Sequence, residues 1–302
     1  MPGVVAVTGA TGFIGQRIVQ ALLGNNWQVR ALTRTPQQDM VNLQWVIGDL
    51  ENKIALNELV DGVDVIVHCA GQVRGNYLKQ FIQTNVKGTE NLIKTTLLQN
   101  KQPRFLLISS LAAREPELSW YARSKYQGEQ ILISLAKELK WSIFRPTAVY
   151  GPGDRELSPL LHLTKIRLLP MSGRPDSKFG LIYVDDLVQA TIDWINTDVT
   201  YQKIYELDDG TRGGYDRYSL KTISSEVWGH PVFIVSVPAL LIQCLSHINL
   251  AISRIFNYLP MLTPGKVREL MHHDWVCDNH SLIEDTAWHP KIQLDKGLGK
   301  SV

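Results

Sequence analysis

Val4-Val5-Ala6-Val7-Thr8-Gly9-Ala10-Thr11-Gly12-Phe13-Ile14-Gly15 opens the chain as an apolar strand, a glycine turn and the start of a helix. Val4 to Val7 is a β-branched run, and Ile14, Ile18, Val19 and Leu22 follow at helical spacing. Glycines at 9, 12 and 15 allow positive φ and let the backbone approach a pyrophosphate closely. The helix that begins near Gly12 turns unpaired N–H groups and its positive dipole end toward the same anion. A glycine-rich turn between a strand and a helix also occurs without any ligand, so this segment needs a second piece of chemistry elsewhere in the chain.

Composition narrows the classes. The 302 residues suffice for one large or two modest domains, and 44% hydrophobic with 20% charged residues is ordinary for a globular protein. A net charge of +2 without blocks of like charge gives no reason to expect a nucleic-acid partner. Cys69, Cys244 and Cys277 lack metal or disulfide spacing, which suits a reducing compartment and no metal. The first strand begins by Gly3, so no signal peptide is expected, and the cytoplasm is the default location.

The first half alternates strand and helix. Strands are expected at Val4–Thr8, Gln28–Thr33, Leu43–Ile47, 63–69, 104–109 and 142–145, with helices at 12–23, 54–60, 78–99 and 119–139. Gly24 reads as the C-cap of the first helix, and Pro103 closes off the third before the next strand. This alternation predicts an α/β fold: a Rossmann-type, doubly wound parallel sheet over residues 1–150, with later segments returning to it. After the turn Gly151-Pro152-Gly153-Asp154, shorter elements at 160–169, Leu181–Tyr183, 186–195, Lys203–Leu207 and 218–227 predict a smaller C-terminal α+β substrate lobe over 151–302. Residues 227–253 carry no Asp, Glu, Lys or Arg, and Leu241, Leu245, Ile248, Ile252 and Ile255 recur at helical spacing. Pro238, Gln243, Ser246, His247 and Asn249 argue against a transmembrane span. A core-packed helix is the expectation; an apolar wall for a lipid-like substrate, or a peripheral membrane contact, is the alternative.

Cofactor chemistry follows from the strand ends. The second strand runs into Arg34, and no acidic residue precedes Asp39. A carboxylate is what holds a ribose 2′-hydroxyl, whereas a guanidinium suits a 2′-phosphate, so NADP is favoured over NAD. Asp49 and Leu50 follow the third strand, where Asp49 can accept from an adenine amino group. Cys69, Ala70 and Gly71 follow the fourth, where small residues allow close backbone approach; His68 reads as a hydrogen-bonded strand-end histidine. Tyr121 and Lys125 stand four apart within a helical stretch, on one face, after the strand that ends Ser109-Ser110. A lysine ammonium close to a phenol brings it toward the working pH range, and Ser110 can donate to a substrate oxygen.

Taken together, the chain resembles the extended short-chain dehydrogenase/reductases of the NAD-dependent epimerase/dehydratase type. The resemblance runs nearly end to end and includes Asn85-Val86-Lys87-Gly88-Thr89, Arg145-Pro146-Thr147-Ala148-Val149-Tyr150-Gly151-Pro152-Gly153, Tyr183-Val184-Asp185-Asp186 and Trp288-His289-Pro290. It implies that Gly9, Thr11, Gly12, Phe13, Ile14 and Gly15 line the pyrophosphate, and that Tyr121 is the acid/base. By the same resemblance Lys125 also binds the nicotinamide ribose, Ser110 polarises the substrate, and Pro146 to Val149 border the nicotinamide. Asn85 would organise the cofactor loop, the Asp185-Asp186 pair would be structural, and a homodimer is a family-level expectation. Only ten residues separate Ser110 from Tyr121, shorter than in sugar-nucleotide members and closer to members acting on steroid, flavonoid or lipid ketones. The expected activity is an NADP- or NAD-dependent ketone reductase or alcohol dehydrogenase with an apolar or amphiphilic substrate, a keto-sphingolipid being one example. A sugar-nucleotide epimerase or dehydratase with retained NAD, using Arg155, Arg174 and Arg212, is the second reading. A non-catalytic dinucleotide-binding assembly protein is the third.

Overall fold

The computed structural model describes residues 3–38, 40–198 and 201–301; Asp39 lies outside them. Six parallel strands come from the first half: β1 (Val4–Thr8), β2 (Gln28–Thr33), β3 (Leu43–Ile47), β4 (Val65–His68), β5 (Arg104–Ile108) and β6 (Trp141–Pro146). Short strands β7 (Ala148–Tyr150), β8 (Leu168–Met171), β9 (Lys178–Phe179) and β10 (Leu181–Tyr183) precede β11 (Lys203–Leu207), which adds a seventh strand to the main sheet. The order is β11-β6-β5-β4-β1-β2-β3, with every pair parallel. The order reverses at β1, so the strand ends around its glycine turn open onto a crevice.

Alternation along β1 builds two cores. Val5 and Val7 face one layer with Ile18 and Leu22 of α1 (Phe13–Gly24), while Ala6 faces the other with Leu56 of α2 (Lys53–Val60). The segment expected as one helix at 78–99 is three: α3 (Leu78–Phe81), a π-helical turn at Ile82–Gly88, and α4 (Thr89–Leu97). α5 (Trp120–Leu135) then packs on the π segment so tightly that a Cβ at Gly128 would lie 2.5 Å from the Asn85 carbonyl oxygen. Gly24 is not the left-handed cap: Asn25 closes α1, and Asn26 takes the positive φ of 63° that reverses the chain into β2.

The later segments divide between layers. α6 (Ser158–Lys165) ends before β8, splitting the single element expected at 160–169. α7 (Val184–Asn196) sends Leu187 and Trp194 into the α1 core, so both it and β11 belong to the sheet domain rather than to the small lobe. α8 (Arg217–Trp228) is followed by β12 (Phe233–Ser236), which pairs with β8, and by α9 (Ala239–Phe256). α10 (Pro264–Met271), β13 (Asp274–Trp275, paired with β9), α11 (His280–Thr286) and α12 (Leu294–Ser301) complete the described chain. The core-packed helix expected at 227–253 is not found: within α9 only Ser246 and Ser253 are buried, and its large apolar side chains face outward.

Asp186 clips the C-terminal tail to α7. Its carboxylate accepts from the Lys291 and Ile292 amides at 3.1 and 2.8 Å, and its carbonyl oxygen accepts from the buried Trp288 indole. Asp186→Ala would remove two charge-assisted hydrogen bonds at part-buried amides and should cost about 1–3 kcal/mol of unfolding free energy, read by urea denaturation.

Candidate active site

Because all seven strands are parallel, their carboxyl ends lie along one edge, and the predicted site residues collect there. At the end of β1, Gly9 holds φ at 69°; a Cβ there would stand 2.6 Å from the Ala70 nitrogen. Gly15 lies under the same turn, and a Cβ on it would come within 2.1 Å of the Gly9 carbonyl oxygen. Thr11 is exposed beside Gly12, which starts α1 without a side-chain cap and without an acidic residue in the first turn. The amides of Phe13 and Ile14 therefore face no competing carboxylate from their own helix. A side chain at Gly9 or Gly15 would collide with neighbouring backbone, so the turn requires glycine at both positions.

Arg34 is exposed just beyond β2, and Gly48 at the end of β3 donates to the Thr33 carbonyl oxygen at 2.8 Å. Asp49 is exposed, and its Oδ1 accepts from the Glu51 and Asn52 amides. Leu50 is buried against Gly88. His68 hydrogen-bonds to Thr8 at 2.6 Å and to Thr89 at 2.9 Å, and burial lowers its imidazole to about 3, so it is a neutral strand-end residue. Desolvation likewise raises the Cys69 thiol to about 12, which makes it a packing group rather than a nucleophile. The Gly71 backbone passes close to the Lys125 ammonium, which would lie 3.7 Å from a Cβ placed there. Pro146 ends β6, while Val149 is partly buried in β7.

The catalytic candidates meet at the end of β5. Ser110 and Tyr121 share a hydrogen bond, and Ser110 also accepts from the Ala112 amide at 3.2 Å. Ser109 is placed differently: its hydroxyl donates to the buried Glu129 carboxylate and is closed to a substrate. Lys125 donates to the Ile108 carbonyl oxygen at 2.7 Å, and burial lowers its ammonium to about 8 while Glu129 opposes that shift. The expectation that Lys125 draws Tyr121 toward neutrality does not hold here. Loss of solvent pushes the phenol up to about 12; the Ser110 hydrogen bond lowers it, and the Glu269 and Glu156 carboxylates raise it further. At neutral pH Tyr121 is therefore a proton donor.

Asn85 ties these parts together. Its side-chain amide donates to the Gln72 carbonyl and the Ser124 hydroxyl and accepts from the Gln72 amide, joining the loop after β4 to α5. The π-helical turn carries this side chain, a placement that regular helical spacing does not reveal. Glu129 joins the site on the same face of α5, where Tyr121, Lys125 and Glu129 recur every fourth residue, a spacing from which it can be found. It is fully buried and holds Arg145 in a two-pronged pair, with a shortest distance of 2.6 Å. Arg145 reaches Glu206 and Glu206 reaches Arg114, at 3.6 and 3.5 Å. Ser119, the N-cap of α5, accepts from the Ala122 amide and donates to Glu269 of α10.

With this geometry in place, the chain belongs to the NAD dependent epimerase/dehydratase family, whose model matches residues 5–206. It is an NAD(P)-dependent oxidoreductase of the extended short-chain dehydrogenase/reductase type. It is 34% identical over 290 residues to a ceramide reductase from Caulobacter vibrioides, covering 93% of this chain and 88% of the relative. It is 27% identical over 237 residues to a UDP-glucose 4-epimerase from Vibrio cholerae, covering 70% of this chain and 72% of the relative. Among solved structures, MoeE5 in complex with UDP-glucuronic acid and NAD superposes with a TM-score of 0.75 at 20% identity, over 98% of this chain and 96% of that one.

Glu129→Gln should cost about 3 kcal/mol, because Arg145 loses a buried ionised partner. The same change removes a carboxylate that favours the Lys125 ammonium, so the Lys125 titration, at about 8 in the native protein, should move to lower pH. Urea unfolding and the alkaline limb of the pH–rate profile measure the two effects.

Proposed function

We propose that this protein reduces the carbonyl of an apolar or amphiphilic substrate, with a ceramide-type keto-lipid the leading class and NADPH the reductant. The observation that carries the reading is the paired hydroxyls of Tyr121 and Ser110 at the carboxyl end of β5, with the Tyr121 phenol held protonated. The dinucleotide, when bound, supplies the hydride. Ser110 and Tyr121 are disposed to hydrogen-bond a carbonyl oxygen, and Tyr121 then gives its proton to that oxygen as negative charge grows. Solvent then returns a proton to the phenolate, while the buried Lys125 ammonium, anchored on the Ile108 carbonyl oxygen at 2.7 Å, serves to bind the nicotinamide ribose. Glu129 keeps Lys125 charged, while Asn85 and Ser124 hold α5 against the loop at Gly71-Gln72.

The similarity to a ceramide reductase over nearly the whole of both chains supports a lipid substrate. Of the arginines named for a sugar-nucleotide reading, Arg174 is exposed and already paired with Asp176 at 2.8 Å, whereas Arg155 and Arg212 are exposed. Tyr121→Phe should lower kcat for reduction of a long-chain keto-lipid by about 10²–10⁴-fold, and Ser110→Ala by about 10²–10³-fold, with dinucleotide affinity little changed. Undiminished turnover in the phenylalanine variant would overturn the assignment. Tightly retained NAD in the purified protein, with epimerase turnover, would favour the sugar-nucleotide reading instead.

The preference for NADP rests on Arg34 and on the absence of a carboxylate at the end of β2. Arg34→Ala should raise KM for NADPH by about tenfold or more, the loss of one charge-assisted phosphate contact, and leave KM for NADH nearly unchanged. Steady-state kinetics with both cofactors checks this.

A further inference from the structure

α9 is an amphipathic helix turned inside out. Ser246, Asn249 and Ser253 face the protein, and Asn249 donates to the Leu262 carbonyl oxygen at 2.8 Å. Its apolar stripe of Leu241, Leu245, Ile248, Ile252 and Ile255 is exposed, with Ile255 retaining 76% of its accessible surface and the adjoining Phe256 73%. At about 1.5 Å per residue the helix presents a ridge about 27 Å long. Phe233 and Val235 of β12 and Leu168 of β8 are exposed on the ribbon that leads into it. Isolated exposed hydrophobes are ordinary, but a continuous face of this size marks an interaction surface.

The charge around this face identifies what it contacts. No Asp or Glu occurs between Glu156 and Asp176 or between Glu226 and Glu269, the two segments that build the surface. Those segments carry Lys165, Arg167, Arg174, Arg254, Lys266 and Arg268. Arg174 and Lys266, at the edges, pair with Asp176 and Glu269. Arg167, between the exposed Ile166 and Leu168, and Arg254, beside Ile255, are themselves exposed. An apolar ridge flanked by cations and free of carboxylates matches the boundary between acyl chains and anionic headgroups.

We propose that α9 and the β8–β12 ribbon form a docking face for the surface of a bilayer containing anionic phospholipid. The helix lies on the bilayer rather than across it, because its polar face is bonded to the protein and Gln243, His247 and Asn249 interrupt the apolar run. The face is also wired to the active site. Asn76, in the loop after β4, donates to the Ser253 carbonyl oxygen and its own carbonyl oxygen accepts from Arg254. Arg268 of α10 donates to the Leu118 carbonyl oxygen at 2.7 Å, and Glu269 accepts from Ser119, two residues before Tyr121. Docking of this kind stands independently of the substrate: it holds equally for a water-soluble ketone.

Flotation of the full chain with vesicles tests the idea. The protein should float with phosphatidylcholine–phosphatidylglycerol (three to one) vesicles at low salt, and several-fold less with phosphatidylcholine alone or at high salt. Leu245→Glu combined with Ile252→Glu should abolish flotation while leaving the melting temperature and dinucleotide affinity unchanged. Arg167→Ala should weaken binding to the anionic vesicles only. Absence of wild-type flotation with either composition would overturn the proposal. So would sedimentation showing a wild-type dimer that the double variant dissociates, which would assign the face to a second copy. Retained flotation in the folded double variant would also overturn it, as would detergent-resistant insertion of α9 across the bilayer.

Discussion

The close passage of Gly9 over the backbone at Cys69 and Ala70 is the constraint on which the site depends. At this point the loops leaving β1 and β4 are in contact, and a methyl group on Gly9 would collide with the Ala70 nitrogen. The positive φ at Gly9 turns the chain so that α1 starts uncapped, with its first amides aimed at the crevice. The same approach seats the Thr8 hydroxyl between His68 and the Ala70 amide, so the strand ends are linked by hydrogen bonds as well as packing.

The chemistry is organised by a second feature, the face of α5 that carries Tyr121, Lys125 and Glu129 on successive turns. A buried ammonium alone would lose its proton readily. Glu129 opposes that loss, and Arg145 in turn prevents Glu129 from being an uncompensated buried charge. Tyr121 stands at the more open end of this chain of alternating charges, partly exposed and within reach of Ser110. The gradient runs from a fully buried ion pair to a neutral phenol at the cleft, which is the order that proton donation requires.

The small lobe adds a helix whose sequence and setting point in opposite directions. Hydrophobic periodicity in 239–256 gives an amphipathic helix under either reading, and periodicity alone does not say which side faces the protein. Ser246 and Ser253 satisfy their hydroxyls on the Gln243 and Leu250 carbonyl oxygens of α9 itself and allow close approach on the inner side, where Asn249 donates to the Leu262 carbonyl oxygen. That choice leaves the leucines and isoleucines outside and ties the exposed ridge, through Asn76 and α10, to the N-terminus of α5.

The alternation of strands and helices, the glycine turn, the Tyr-Lys spacing and the place of His68 at a strand end were all legible in the sequence, because each depends on local backbone geometry or on spacing within one element. Periods of two and 3.6 residues are written into the residues themselves. Several features were set instead by contacts between distant segments. The return of Lys203–Leu207 as the seventh strand needs the open edge of β6, and the π turn at Ile82–Gly88 needs Gly128 packed against it. The elevated Tyr121 phenol depends on burial that no spacing encodes, and the outward face of α9 depends on which side packs against the rest of the chain. Local propensity therefore fixed the elements and their chemistry, whereas desolvation and partner choice, which exist only once remote residues meet, decided protonation and exposure.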